Sequence, residues 1–580
     1  MKVLNKIYKK SILALVLAAG TMISSCTDYL TIIPSNKIVH ENFWQTKDQV
    51  NGMLAHSYLK LISTDAVRKA IVWGELRADN MTYPANYSQE IKYIVEANIL
   101  DENSFCHWGV FYEAINYANL VIEYAPLVVE RDPDFTEGDL EVVLGEMYAM
   151  RALCHFYLVR TFRDIPMAMV PAINDSELPE YTQVHPLEAL EMIMNDLDAA
   201  EGLVMPTGNY PDVRHNYGRF TKNAVLAIKA DVNLWRAAFT AYYKANNEDS
   251  RLANVNVQQY YTQCIENCQS VLDNINKLYE KDNLNNFMED TPYHLIPNHD
   301  EFYIKEGTYQ SFSYDAIFGS ELIGGENSRE SIFELQINLS LVASEEQNNT
   351  FFGIAEVYGC NNMSSQVEVP QTFLDKYEDD DLRKYSFTDY PYDGSSQAKI
   401  KVAKYVAEAS PAVANKPLRD VKDMPSNWIV YRQTDVMLMM AEALVLQESV
   451  SAEDIKESFK LVNAINRRSM VDSTKIENPL QEPTDKIDAY ELVMDERVRE
   501  LAFEGKRWYD LVRRALRDNT TDNIKFVADK LTNGKETLKN KMVSIDHLFF
   551  PINIEELRFN KNLKQNPAYN TGDSSIGMNK

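Results

Sequence analysis

Leu140, Val143, Leu144, Met147, Met150, Cys154, Tyr157, Leu158 and Phe162 recur at three- and four-residue spacing, a period that lays one apolar face along a helix from Glu137 to Phe162. Arg163-Asp164-Ile165-Pro166 ends it, because a residue before proline is pushed out of the helical region. A second helix follows near Pro186 to Leu203. The arrangement returns as Asn223 to Phe239 with Gln258 to Leu272, and again as Asp435 to Leu446 with Ala452 to Arg468. Ser451 and Asp454 form a capping box at the start of the last of these. Ala152, Ala230 and Ala441 take similar places in the three first helices, where a small side chain lets a partner helix approach. The chain therefore reads as mostly α-helical. Its pairs fit degenerate tetratricopeptide-like repeats, and periodicity alone does not separate these from generic helix packing.

From Lys281 to Met424 the helical period fades, and short strand-like pieces such as Ser331 to Gln336 alternate with polar, aromatic-studded loops. So long an irregular stretch inside a compact protein is usually functional. No linker sets it apart. Residues 26–580 are expected to form a single domain, with helical scaffold about 40–280 and 430–520 and a loop-rich region about 281–430.

Residues 1–25 read as a signal peptide. Lys2, Lys6, Lys9 and Lys10 precede an apolar run from Ser11 to Ile23, too short to span a bilayer, which takes about 20 apolar residues. Ile23-Ser24-Ser25-Cys26 then resembles a relaxed lipobox, so Cys26 is expected to carry the lipid and become the mature N-terminus. Several acyl tails on one cysteine anchor stably. No other stretch reads as a transmembrane helix. Cys106, Cys154, Cys264, Cys268 and Cys360 are an odd number and cannot all pair; buried free thiols are the expectation. Cys264 and Cys268 lack the second ligand pair of a zinc site.

The net charge of −27, or −31 without the four leader lysines, repels nucleic acid and disfavours polyanionic glycans. At 45% hydrophobic residues the chain is nevertheless foldable. Its 33 tyrosines supply amphipathic rings suited to wet binding surfaces. Enzyme motifs are missing: there is no Gly-x-Ser-x-Gly elbow, no Gly-rich phosphate loop, and His40-Glu41-Asn42-Phe43-Trp44 lacks the second histidine of a zinc protease. Asp132, Asp134 and Thr136 begin like a calcium loop, but Gly138 falls one position late, so a turn and helix start are expected. No metal or cofactor is predicted.

Several separated segments carry a family resemblance. Cys26-Thr27-Asp28-Tyr29-Leu30 with Pro34 comes first, then Glu75-Leu76-Arg77-Ala78-Asp79-Asn80. Trp108 with Tyr112, Ile115, Ala118 and Asn119 follows, then Gly145-Glu146 through Arg151-Ala152 to Pro166. Gly218-Arg219-Phe220-Thr221 with Ala230, and Thr434-Asp435-Val436 with Ala441-Glu442-Ala443, add two more. The most specific block runs from Glu496 to Leu511, and Pro551 with Gln565-Asn566-Pro567-Ala568-Tyr569 closes the series. In order and spacing these resemble the SusD/RagB family of nutrient-binding lipoproteins. Arg163 stands where that family usually has glycine, Thr31 replaces an acidic residue and Gln433 an aromatic one. The resemblance implies a mostly α-helical, SusD-like fold with four tetratricopeptide-like helix pairs and a loop-rich ligand-binding region. It also implies a lid on a TonB-dependent, SusC-like outer-membrane transporter, and no catalysis.

A glycan-binding surface lipoprotein is thus the first expectation. A RagB-like peptide-binding relative is the second, and a secreted surface glycoside hydrolase the third. Sugar rings stack their C–H faces on aromatic rings while amides and carboxylates read their hydroxyls, and two zones offer that chemistry. The first holds Trp73, Tyr83 and Tyr87 with Asn80, Asn86 and Gln89 around Pro84. The second holds Tyr309, Phe312, Tyr314, Phe318, Phe351, Phe352 and Tyr358 among Asn348, Asn349, Asn361 and Asn362. The candidate ligand contacts are Trp73, Tyr83, Tyr87, Tyr309, Phe312, Tyr314 and Tyr358. Glu496, Arg499, Glu500 and Phe503 are expected on one helix face, with Glu496 and Glu500 held ionised by Arg497, Arg499 and Arg507 as a structural lock rather than an acid/base pair. Trp108 and Trp508 are assigned to packing.

Overall fold

The computed structural model describes residues 43–569 except 174–180, 282–292, 297–312, 319–326, 338–349, 361–362, 390–399, 414–415, 422–424, 471–479 and 526–540. The leader, Cys26, Thr31, Tyr309 and Phe312 lie outside the described residues, as do Asn348, Asn349, Asn361 and Asn362.

The fold is mostly helical. In chain order its main helices are α1 (Lys47–Leu61), α2 (Thr64–Ile71), α3 (Gln89–Val95), α4 (Gly109–Tyr124), α5 (Glu137–Phe162), α6 (Pro186–Glu201), α7 (Lys222–Asn246) and α8 (Gln258–Lys281). After the irregular region come α9 (Gln433–Leu446), α10 (Ala452–Ser469), α11 (Lys486–Glu500), α12 (Arg507–Asp518) and α13 (Ile554–Phe559). They pack as α1 on α4, α5 on α6, α7 on α8 and α9 on α10, and each pair also touches the next. Three of these pairs follow from apolar periodicity, while α1 with α4 completes the set of four.

Capping explains the boundaries. Thr136 starts α5 with a capping box to Asp139, and Ser451 starts α10 with one to Asp454. Asp132, Asp134 and Thr136 are therefore a turn and cap, with Asp132 also accepting the Lys47 backbone N–H at 2.7 Å. α5 is long and apolar enough to cross a membrane by length and composition, contrary to expectation, but it is the central core helix. Its face carries buried Glu146, Arg151, His155 and Arg160, each taken up by packing or pairing inside the protein.

Arg163 resolves one departure from the family pattern. It ends α5 with φ 68° and ψ −73°, a conformation that favours glycine. Its guanidinium pairs with Asp164 at 2.6 Å and with Asp546, and lies over the Phe549 ring. The side chain thus ties the helix exit to the 545–550 segment while the backbone stays strained. Gln433 is buried at the start of α9, its amide Nε2 donating to the His294 carbonyl at 2.5 Å.

Strands are few among the described residues and form antiparallel pairs. β1 (Ile165–Pro166) joins β2 (Gln183–Val184), β3 (Ser331–Leu335) joins β6 (Trp428–Arg432), and β4 (Ala407–Val413) joins β5 (Lys416–Val421). The β3–β6 pair is buried along its length and runs straight into α9, so it ties the middle of the irregular region to its C-terminal end and to the scaffold. One hydrophobic cluster accordingly includes Trp73 and Leu153 from the scaffold together with Phe333, Tyr358 and Tyr405 from that region.

Candidate functional site

Beyond α2 the backbone widens into a π-helical turn, Val72–Leu76, and then runs as a loop through Pro84 to α3. Thr82 exchanges two backbone hydrogen bonds with Glu368, both 2.8 Å, and so fixes that loop to the irregular region. The loop carries Tyr83 and Tyr87, whose rings meet edge to face at 5.1 Å. Tyr83 donates its phenol to Glu96 at 2.8 Å. Burial and that hydrogen bond push the phenol up to about 12, so it remains a proton donor. Lys92 lies 4.7 Å from the Tyr87 ring centre and donates to its hydroxyl at 3.3 Å, and Lys541 donates to the Glu96 carbonyl. Tyr87 is 40% exposed, with exposed Asn86 and Gln89 beside it. The result is an open aromatic corner with a carboxylate, an ammonium and two amides at its rim.

The supports of that corner, Lys92 and Glu96, had no part in the sequence expectation, although their i, i+4 spacing, with Lys92 on α3 and Glu96 capping its end, is the signal that could have found them. The other described rings of the two zones are placed differently. Trp73 is fully buried, stacked on Phe111 at 5.0 Å, with its indole N–H donated to the Phe105 carbonyl. Tyr314 is buried against Phe387 and under Arg468, donating to Glu500 at 2.8 Å. Tyr358 is buried and donates to the Phe503 carbonyl at 2.8 Å. Phe318 and Phe351 are also buried, and Asn80 is turned inward onto Glu75. Trp73, Tyr314 and Tyr358 thus have both faces covered, which leaves Tyr83 and Tyr87 as the described candidates with an open ring.

The most specific sequence block builds a buried lock rather than a site. α11 ends at Glu500, and Phe503 lies in the turn beyond it at φ 67°, so the expected common helix face stops three residues early. Arg499 pairs with Glu496 as expected, but the other partners differ. Glu500 accepts from Arg432 and Arg468, each at 2.7 Å, and from Arg383 at 3.0 Å. Glu496 pairs with Arg383 at 2.5 Å and with Arg499 at 2.8 Å. Arg497 goes instead to Asp510 and Asp435, and Arg507 to Asp79. Burial raises the Glu500 carboxyl, but Arg432, Arg468 and Arg383 outweigh it and hold the group well below the usual carboxylate range. A carboxylate so held cannot serve as a general acid.

Next to that lock, Glu75 receives the backbone N–H groups of Phe503 at 2.6 Å, Lys506 at 2.9 Å and Arg507 at 3.1 Å. Asp79 takes the Arg507 guanidinium in a two-pronged pair at 2.9 and 3.2 Å. The early and late family-like blocks therefore meet in space. Trp108 and Trp508 are buried packing residues. The five described cysteines are buried and free, and no group of three or more His, Cys, Asp or Glu among the described residues is arranged to hold a metal.

Comparison with known proteins gives the same picture over the whole chain. A family model described as "SusD family" matches residues 404–569, and one described as "Starch-binding associating with outer membrane" matches residues 28–234. SusD-like protein P38 of Formosa agariphila is 25% identical, covering 98% of this chain and 100% of its own. A SusD-like protein of Bacteroides ovatus is 23% identical over 87% of this chain and 83% of its own. Among solved structures, a SusD homolog from Bacteroides thetaiotaomicron superposes with a TM-score of 0.64 at 19% identity, covering 91% of this chain and 98% of its own. B. fragilis NanU superposes with a TM-score of 0.61 at 19% identity, covering 93% and 100%. With four helix pairs, the joined blocks and these matches in agreement, the chain belongs to the SusD/RagB-like family.

Proposed function

We propose that this protein is a lipid-anchored outer-membrane lipoprotein, exposed at the cell surface through Cys26, that binds a neutral glycan and passes it to a SusC-like, TonB-dependent transporter without cutting it. The observation that carries this reading is the Tyr83–Tyr87 corner, an open aromatic face rimmed by Glu96, Lys92, Asn86 and Gln89. The family supports it, since one matching model describes starch binding at the outer membrane. Net negative charge supports a neutral rather than polyanionic ligand. The hydrolase alternative loses its best carboxylates, because Glu496 and Glu500 are buried among arginines.

The test is retardation of residues 27–580 in gels containing neutral or acidic polysaccharides, with reducing ends assayed in the same mixtures. Retardation by a neutral glycan that drops about tenfold or more in Tyr83→Ala and Tyr87→Ala, with no new reducing ends, is the expected result. Binding only to peptides would move the ligand to the RagB-like class, and new reducing ends would overturn the non-enzymatic assignment.

A further inference from the structure

Glu90 lies two residues before Lys92 on α3 and so faces nearly the opposite way from the tyrosine corner. There its carboxylate holds the 103–107 turn, accepting from the Ser104 N–H and hydroxyl, both at 2.8 Å. Under this turn opens a cleft of about 450 Å³ whose walls include Asp65, Lys69, Glu102, Ser104, Glu555 and Arg558. That volume lies within the range of sites that hold small ligands. α13 forms one wall and buries none of its own residues.

The floor is unusual. Lys69 is 2% exposed, yet among the described residues its ammonium makes a single hydrogen bond, to Asp65. An ammonium carries three donors, so two are left for whatever occupies the cleft. Burial draws the amine below its ordinary value, with Asp65 opposing, which marks a cation poorly served by its surroundings. At the rim, exposed Glu102 has no ion pair or side-chain hydrogen bond among the described residues. The Ser104 hydroxyl donates to Glu90 and keeps its lone pairs for an acceptor role. Donors at the floor and acceptors at the rim match a ring of alternating hydroxyls, each of which both gives and takes a hydrogen bond. A free anion is not matched: both cations are already paired, Lys69 with Asp65 and Arg558 with Glu555, and carboxylates outnumber them.

We propose that this cleft is a second saccharide subsite, taking an uncharged terminal unit of one or two sugars from a glycan whose body lies on the far side of α3. Lys69 would donate to one hydroxyl while Glu102 accepts from another. The proposal rests on the glycan reading above and adds a place where chain ends, rather than chain faces, are recognised.

The test is ligand-observed NMR of residues 27–580 with glucose, galactose, mannose and their disaccharides, alongside glucuronate. Wild type is expected to bind at least one neutral sugar. Glu102→Ala, at an exposed position with no ion pair to lose, should weaken that binding about tenfold, as should Lys69→Met where its thermal transition shows it folded. Glu491→Gln, whose carboxylate pairs with Arg514 and lines neither the cleft nor the tyrosine corner, should leave it within twofold. Binding that ignores Glu102→Ala, binding of glucuronate alone, or no small-sugar binding up to tens of millimolar would each overturn the subsite. The last result, with polysaccharide retention intact and sensitive to Tyr87→Ala, overturns the subsite while the glycan reading stands. Loss of all polysaccharide retention in wild type overturns that reading instead.

Discussion

At Glu500 three guanidiniums from distant parts of the chain, Arg383, Arg432 and Arg468, converge on one carboxylate with no exposed atoms. Removing one partner of a buried ion cluster costs far more than the cluster contributes net, because the remaining charges stay desolvated. Glu500→Gln is therefore expected to destabilise by about 3–5 kcal/mol. Glu491→Gln, which loses the half-exposed pair with Arg514, should change stability by less than about 1 kcal/mol. Urea unfolding of both variants checks this, and equal effects would refute a buried lock. Arg163 permits a second contrast. Alanine there loses the pairs with Asp164 and Asp546 and keeps the positive φ, whereas glycine loses the pairs and relaxes the backbone. Arg163→Gly should be more stable than Arg163→Ala by about 1–2 kcal/mol, read from the same unfolding curves; the reverse order would show that the backbone there is unstrained.

At the scale of elements, two glycines separate close packing from helix propensity. A Cβ on Gly74 would lie 1.9 Å from the Gly505 carbonyl oxygen, which is backbone and cannot turn aside. The π-helical turn and the turn before α12 touch there, so Gly74→Ala is expected to cost about 3 kcal/mol or more and to lower the thermal midpoint by several degrees. Gly52, exposed on α1 with nothing near its Cβ, should gain about 0.5–1 kcal/mol as alanine. A Gly74→Ala protein as stable as wild type would show that this contact does not hold the turns together. Elements such as α5, with its cap at Thr136 and its three- and four-residue period, were legible because everything that defines them is local. The partners of Glu500 were not, since the adjacent Arg497 and Arg507 turn to Asp510 and Asp79 while the actual partners arrive from up to 117 residues away. The same holds for the site. Tyr83 and Tyr87 sit four apart beside a proline and read as surface, whereas Trp73 is covered by Phe111 and Phe162 of the scaffold, and the burial of Tyr314 and Tyr358 depends on distant contacts with Phe387, Tyr405 and Phe503.

For the whole molecule, these joints predict how stability follows pH. Burial raises the carboxyls of Asp79 and Asp435, but Arg507 with Lys376 outweighs it at the first and Lys506 with Arg497 at the second, leaving both at about 2. Their folded values lie below the unfolded one, so their stabilisation is complete above about pH 4 and is lost as pH falls toward 2. Glu75 has the opposite sign. Burial pushes it up to about 7 despite the N–H groups of Phe503, Arg507 and Lys506 and the Asn80 amide, so the folded chain binds its proton more tightly than the unfolded chain does. That contribution is complete below about pH 4.5 and is lost as pH rises through 7. All three groups join the 72–80 segment or α9 to the segment from 503 to 510, and they act on one cooperative unit only if those joints open together with the rest of the molecule. Urea midpoints measured from pH 2 to 8 should then climb steeply between 2 and 4 and decline gently between about 5 and 7.5. Asp79→Asn should make the acid climb shallower, and Glu75→Gln should flatten the upper decline while lowering the midpoint throughout. A Glu75→Gln protein that keeps the wild-type slope above pH 5 would place that proton elsewhere, and separate transitions by fluorescence and circular dichroism would show that the joints do not open with the core.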